Sequence, residues 1–416
     1  MHDGVRGDVE TKGDGVKRAV LFALFRTLLH LRNAERSSEN GDGETRERYQ
    51  FLFEEPELYL HPNAQRILYD ALVQISADHQ VCVCTHSPYF FSPEDQGTFL
   101  RLRKIENPDD PHSPPVAEIL PIHLSGAVSV KDAYQIICYE NNSAAFFCDR
   151  VVLVEGDCDV IYLQHLAKKL NGDWDFLRRN VAIVRIGGKG GFFRYRRFFE
   201  EFGVEIRIVA DLDVLIDQFG KLGADEESRH FHNQLIQEID AIIDRDGLCE
   251  SVATDTHKDA ITKRSFRDRY ELLREACRRV AAGDEVSPTE LPDIEDLFAH
   301  ERNVTRRCVL ATSEEIAPTK HTLLEQLRRQ GINVLSIGAV DEYYPDDCTG
   351  PDKPTRALNA CEKVAHREHA VACSPLIARP TGGQVAELDV IFANLFEGLP
   401  QPVELPATTV TFEATY

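Results

Sequence analysis

Val151–Asp159 reads VVLVEGDCD, and Ile208–Asp213 reads IVADLD. Each is a short run of β-branched and aliphatic residues that stops at carboxylates. An apolar run without polar alternation is the mark of a strand covered on both faces, the usual state of a parallel sheet. Between them lie the helix-period VIYLQHLAKKL, a second apolar run VAIVRIGG, and FFRYRRFFEEFG, apolar every three or four residues. Strand, helix, strand, helix, strand implies parallel α/β layering. Ligands of such sheets gather at the carboxyl ends of the strands. Glu155 and Asp211 stand there, with Asp159 and Asp213 close behind. Asp211 and Asp213 are two apart, so both side chains can converge from one face. Four convergent carboxylates need cations. Hard oxygen donors select Mg²⁺ or Mn²⁺, and such ions serve phosphodiester hydrolysis. Asp157 is expected to point elsewhere.

A second α/β series precedes this one. Residues 15–32 have helical apolar spacing, YQFLFEE and QVCVCTHSP read as buried strands, and PNAQRILYDALVQISAD reads as the helix between them. Phe51–Pro62, FLFEEPELYLHP, ends its strand in Glu54 and Glu55. Adjacent acids at a strand tip suit ATP hydrolysis: Glu54 for Mg²⁺, Glu55 to polarise water, with His86 of THSP at the next strand end to sense a γ-phosphate. A loop to grip the phosphates is absent from the 416 residues: no G-x-x-x-x-G-K-[ST] occurs, and GGKGG at Gly187–Gly191 has the wrong spacing.

Composition bounds the reading. A hydrophobic fraction of 43% and a charged fraction of 28% are those of a globular protein, and the length allows two or more domains. The apolar AVLFALFRTLLHL is broken by Arg26 and too short to span a bilayer, and no secretory pattern precedes it. No membrane partner and a cytoplasmic location are therefore expected. The 11 cysteines lack a C-x-x-C pair and read as reduced core thiols. A net charge of −22 argues against a protein that coats DNA through a broad basic face, and leaves room for an enzyme that meets DNA through bound metal and local arginines. Arg194, Arg196 and Arg197 are candidates for a nucleic-acid path, or for the wet face of an amphipathic helix.

GDGVKRAVLFAL, FLFEEPELYLHP and VCVCTHSP resemble the signature helix, Walker B with D-loop, and switch histidine of ABC-type ATPases. The E…DxD order of the later acids resembles the Toprim domain of topoisomerases, primases and OLD (overcoming lysogenisation defect) nucleases. The two in series look like the OLD family, which includes the nuclease subunit of the Gabija anti-phage system. The resemblance implies a partial ABC-type ATPase lobe over 1–125, a linker over 126–148, a Toprim domain over 149–400 with a helical insertion at about 221–320, and a tail over 401–416. Gly13, Asp14 and Gly15 would form the signature turn facing a neighbouring subunit's ATP, although Asp14 replaces the usual serine. Glu155, Asp159, Asp211 and Asp213 would be metal ligands. Later, SIGAVDEYYP and GPDKPTRALNACEK resemble a stretch in which an acid binds a second metal and a lysine meets the scissile phosphate. Glu342 and Lys353 fit, with Asp341 a rival to the first. Gly187 and Gly188 would permit close approach, and Lys189 either meets a phosphate or is a solvated loop lysine.

The expected activity is metal-dependent DNA endonuclease cleavage, with Glu155, Asp211, Lys353 and Glu55 as catalytic groups, in a chain regulated by its ATPase part. ATP would bind only if a partner supplies the phosphate-gripping lobe, so the expected assembly is a homodimer or a complex with a Walker A-containing chain. Alternatives are a partner-dependent, non-catalytic subunit of a repair or anti-phage assembly, a topoisomerase or primase, and an intact repair ATPase. Retention of all four carboxylates argues against the first. The absence of a zinc ribbon or strand-passing domain argues against the second, and the missing phosphate loop against the third.

Overall fold

The computed structural model describes residues 8–39, 48–90, 98–105, 113–122, 132, 136, 142, 144–248, 271, 274–275, 277–283, 291–378 and 383–400. Most of the expected linker, the 249–270 part of the insertion, the 106–112 loop and the tail lie outside them. By internal contacts the chain divides into two units, one of residues 1–100 and 123–147, the other of 101–122 and 148–416.

The first unit contains helix α1 (Asp14–Glu39), strand β1 (Gln50–Glu54), helix α2 (Pro62–Ser76) and strand β2 (Gln80–Cys84). Pro62 sets the first turn of α2, and the His61 side chain accepts from Asn63 N. The strands are parallel, with Phe51 opposite Val81 and Glu54 opposite Cys84. Leu60, Leu68, Leu72, Ile75 and Phe90 form the core, against which Phe22, Phe25, Phe51 and Phe53 pack. The expectation that both strands are buried is corrected here. They alternate, so that Phe51, Phe53, Val81 and Val83 face the core while Leu52 is 72% exposed and Cys82 and Cys84 face outward. Helices of this unit cover one face of the pair, and period-2 geometry turns every other side chain away from them.

The second unit takes in most of β3 (Phe99–Ile105) and all of β4 (Val116–Ile122), which pair with each other, and then a four-stranded parallel sheet. That sheet is built from β5 (Arg150–Val154), helix α3 (Asp157–Leu170), β6 (Val181–Arg185), helix α4 (Phe192–Glu201) and β7 (Glu205–Ala210). There follow α5 (Val214–Asp217), α6 (Glu226–Asp246), α7 (Leu291–Thr312), α8 (Ala317–Arg329) and strand β8 (Ile332–Val334). Strand order is β6-β5-β7-β8, and all pairs are parallel. The chain closes with α9 (Lys353–Lys363), α10 (Arg367–Ala372), the antiparallel β9 (Leu376–Ala378) and β10 (Gln384–Ala386), and α11 (Glu387–Phe396).

The interior strand β5 is buried at all five positions, which is why VVLV carries no polar alternation. The period of α4 does the complementary work. Phe192, Tyr195, Phe198 and Phe199 are fully buried, each worth about 1.5–3 kcal/mol, while Arg197 is exposed and Arg194 and Arg196 are half-buried. Arg196 reaches Glu200 at 2.7 Å and the Leu222 carbonyl at 2.9 Å, and the Arg197 guanidinium lies over the Phe193 ring. A second apolar cluster joins Val152, Val154, Tyr162, Leu166, Val209, Tyr343 and Phe392. α6 starts on Asp225, whose side chain accepts from Ser228 N at 2.8 Å, and stops on Gly247 at φ 59°. Among the described cysteines, Cys82, Cys84 and Cys277 are exposed rather than core thiols, whereas Cys148 and Cys348 are buried.

Candidate functional site

In the first unit, Glu54 ends β1 and is exposed, and Glu55 follows in the left-handed region at φ 44°. That turn aims its carboxylate at the neighbouring strand end, where His86 Nε2 lies 3.5 Å from Glu55 Oε1. Burial, then the hydrogen bond and charge of Glu57, raise the Glu55 carboxyl above its ordinary range. Glu57 was not singled out from sequence. It is 6% exposed and accepts from Thr85 Oγ1 and from His86 N at 3.1 Å, so it holds the loop that presents His86. The expected signature turn lies at the start of α1. Arg18 donates to the Glu55 carbonyl at 2.8 Å, and a Cβ on Gly15 would come within 2.5 Å of the Tyr59 carbonyl oxygen. Only glycine lets α1 approach the acid-bearing loop this closely. Asp14 pairs with Lys17 at 3.4 Å, and a Cβ on Gly13 would meet nothing within 4 Å.

In the second unit, parallel pairing brings the ends of β5 and β7 side by side. Glu155, Asp211 and Asp213 each place a carboxylate oxygen within 4.8 Å of the others. Glu155 Oε1 accepts from Asp211 N at 3.4 Å, and Asp211 Oδ1 accepts from Val340 N at 3.2 Å. Burial, then the charge of Asp211, pushes Glu155 up to about 8. Burial, then Asp159 and Asp213, pushes Asp211 up to about 7. Asp213 Oδ1 is buried and accepts no hydrogen bond. Hard oxygens, mutual repulsion and an orphaned buried acceptor fit a divalent cation, and no soft donor stands among them.

Asp159 is not one of the three converging carboxylates. It sits in the first turn of α3, where Oδ2 accepts from Gly156 N at 2.8 Å. Burial raises its carboxyl, and the charges of Asp341 and Lys353 act on it. Of the two acids at 341 and 342, the structure therefore brings the rival, Asp341, toward Asp159. Asp341 is held by Arg356 at 3.5 Å, whereas Glu342 is exposed. A Cβ on Gly338 would meet the Glu342 stem at 2.7 Å. The short 3-10 helix Val340–Tyr343 turns consecutive residues to different sides, which separates the pair. Lys353 begins α9 and is exposed; Asp352 before it caps the helix by accepting from Thr355 N at 2.8 Å. Asp157 points away and pairs with Arg185.

Gly187 and Gly188 take φ values of 72° and 114°, folding the chain back at the end of β6 so that Gly188 N reaches the Glu155 carbonyl at 3.3 Å. The turn delivers Lys189, whose ammonium contacts Asp213 Oδ2 and lies 3.6 Å from Asp217 Oδ2. Burial alone would depress this lysine, but the hydrogen bond to Asp213 and the surrounding carboxylates outweigh it and hold the ammonium above its ordinary range. Lys189 is thus neither solvated nor free to meet a phosphate as it stands.

Residues 146–213 match the family profile "Overcoming lysogenization defect protein-like, TOPRIM domain", and residues 1–91 match "AAA ATPase domain". The chain carries an OLD-like Toprim domain and an AAA-type ATPase segment. It is 30% identical over 212 residues to the Old nuclease of Escherichia phage P2, covering 51% of this chain and 34% of that protein. It is 30% identical over 188 residues to the OLD nuclease of Thermus scotoductus, covering 44% of this chain and 34% of that protein. Endonuclease GajA of Bacillus cereus is 24% identical over 227 residues, covering 54% and 34%. Each match therefore spans about a third of the relative's length. The solved C-terminal region of the Xanthomonas campestris OLD protein covers 61% of this chain at 14% identity and a TM-score of 0.22, too slight to argue from. Among the described residues no helix is long and apolar enough to cross a membrane.

Proposed function

We propose that this chain supplies the nuclease part of a metal-dependent DNA endonuclease that cleaves phosphodiester bonds under the control of its ATPase segment. The observation that carries the reading is the Glu155, Asp211 and Asp213 cluster at the carboxyl end of a parallel sheet, with one buried oxygen left without a donor. The names of the relatives, all nucleases, support it. Glu155, Asp211 and Asp213 would hold Mg²⁺ or Mn²⁺, and Asp159 with Asp341 would form a second acidic arm, the place first assigned to Glu342. A divalent ion bound there supplies positive charge to the scissile phosphate and its attacking water. Glu155 and Asp211 act as ionised carboxylates, Asp213 completes the set, and Lys353 at the start of α9 meets a phosphate oxygen. Asp159 keeps the Gly156 turn closed so that Glu155 stays aimed.

In the ATPase segment, Glu54 and Glu55 serve Mg²⁺ and water, His86 senses the γ-phosphate, and Gly13 to Gly15 form the signature turn. Glu57 positions His86. ATP binds once a phosphate-gripping lobe is supplied; with that lobe restored the assembly is a homodimer, and otherwise it is a complex with a Walker A-containing partner. DNA is the substrate, and the compartment is cytoplasmic. Incubation of the chain with supercoiled plasmid and Mg²⁺ or Mn²⁺, beside EDTA and Asp211→Ala controls, tests the reading. Nicking that needs both the metal and Asp211 is the expected result. No nicking in either metal at low salt would turn the reading toward the partner-dependent, non-catalytic subunit.

A further inference from the structure

We propose that Lys189 is an internal cation of the acidic site, holding Asp213 while the carboxylates are metal-free and passing to Asp217 when a divalent ion takes them. The inference rests on the metal site proposed above and concerns how that site is held ready and filled. Three carboxylates within 4.8 Å of one another repel, and Lys189, on the turn after β6, puts its ammonium against one of them. The side chain is only 20% exposed, and its backbone is fixed by the turn at Gly187 and Gly188, so its reach is short. A divalent ion held by Asp213 would repel this ammonium at close range. A second acceptor lies within that reach. Asp217 Oδ2 is 3.6 Å from Lys189 Nζ, and Asp217 is outside the converging set.

Asp217 is prepared for the role. It ends α5, four residues after Asp213, the N-cap of that helix, and its backbone N–H donates to the Asp213 carbonyl at 3.1 Å. Its other oxygen, Oδ1, accepts from Arg307 Nη2 of α7 at 2.9 Å. Arg307 thus fixes the carboxylate and leaves Oδ2 turned to the lysine. The lysine has two carboxylates to choose between, and the charge placed on Asp213 decides. Because Arg307 belongs to the helical segment between β7 and β8, movement of α7 would alter metal affinity through Asp217.

The test is Mn²⁺ binding to the full chain, followed by electron paramagnetic resonance, with melting temperature in EDTA and plasmid nicking measured on the same samples. Removing the competing ammonium in Lys189→Gln should tighten Mn²⁺ binding about tenfold and lower the metal-free melting temperature. Lys189→Met, which keeps the apolar stem, should behave alike and guards against misfolding of the amide variant. Lys189→Arg keeps the charge and should keep wild-type affinity. Asp217→Asn removes the receiving carboxylate and should weaken Mn²⁺ binding, yet have little effect in the Lys189→Gln background, a non-additive pair. Unchanged or weaker Mn²⁺ binding in both Lys189→Gln and Lys189→Met would overturn the proposal, as would strict additivity with Asp217→Asn. If wild type binds Mn²⁺ with these effects but does not nick, the nuclease reading fails and the lysine exchange stands. If it nicks while the lysine variants leave affinity untouched, the reverse holds.

Discussion

Changing pH should change divalent metal affinity steeply, and the structure fixes the sign. Glu155 and Asp211 are acids pushed up to about 8 and about 7, so the metal-free site keeps protons that free carboxylates would have lost. A cation must displace them, so affinity rises with pH through this window and levels off above it. At pH 6, Glu155 lies two units below its value and Asp211 one, which weakens binding by about a hundredfold and about tenfold respectively. If the neighbours share one proton, the loss stays near a hundredfold; if each holds its own, it approaches about a thousandfold. Isothermal titration with Mn²⁺ from pH 6 to 9, in buffers of different ionisation enthalpy, reads both the affinity and the protons released. A dissociation constant independent of pH, with no proton release, would refute the reasoning.

The same groups set a stability trend. Their folded values lie above the ordinary 4.5 and 3.8, so the folded chain binds protons more tightly. The contribution of these two groups to metal-free stability is full below the ordinary values of 4.5 and 3.8, falls by about 1.4 kcal/mol per unit for each site still protonated, and is lost once pH has risen through about 8 and about 7. Saturating Mn²⁺ should remove the fall.

Three further outcomes follow from single side chains. Gly15→Ala would set a Cβ 2.5 Å from the Tyr59 carbonyl and force α1 outward, at a cost of about 1–3 kcal/mol; hydrogen exchange in Glu55–Leu60 should quicken, and unchanged exchange would contradict the close approach. Tyr343→Phe deletes the hydroxyl that donates to the fully buried Glu387 at 2.5 Å and should cost about 1–3 kcal/mol in urea unfolding, whereas an unmoved midpoint would count against that network. Lys353→Ala should slow plasmid nicking about 10²–10³-fold with Mn²⁺ affinity unchanged, and retained nicking would remove Lys353 from the mechanism.

Much of the second unit was legible because its chemistry sits where chain direction changes. A buried strand must end at the sheet edge, so the acids that stop VVLV and IVA had to meet once the strands paired in parallel. Sequence could not say that Asp159 spends one oxygen on Gly156 N, since a first-turn acid serves a helix start and a metal equally well. It ranked Glu342 above Asp341, because one residue of slip in a short 3-10 helix exchanges inside for outside. The partnership of Lys189 with Asp213, and of Asp217 with Arg307, joins residues 24 and 90 positions apart and exists only after folding. Glu57 was hidden in a run of acids, although the rigid Pro56 before it marked a shaped loop. In the first unit the apolar runs of β1 and β2 promised two covered faces, and the alternation around Leu52 shows one.

The most direct test of the account is to soak crystals of the chain in Mn²⁺ and record anomalous diffraction. A peak within coordination distance of Glu155, Asp211 and Asp213 is the predicted result. An ordered Mn²⁺ peak elsewhere with none at these carboxylates would contradict the claim that they form a metal site.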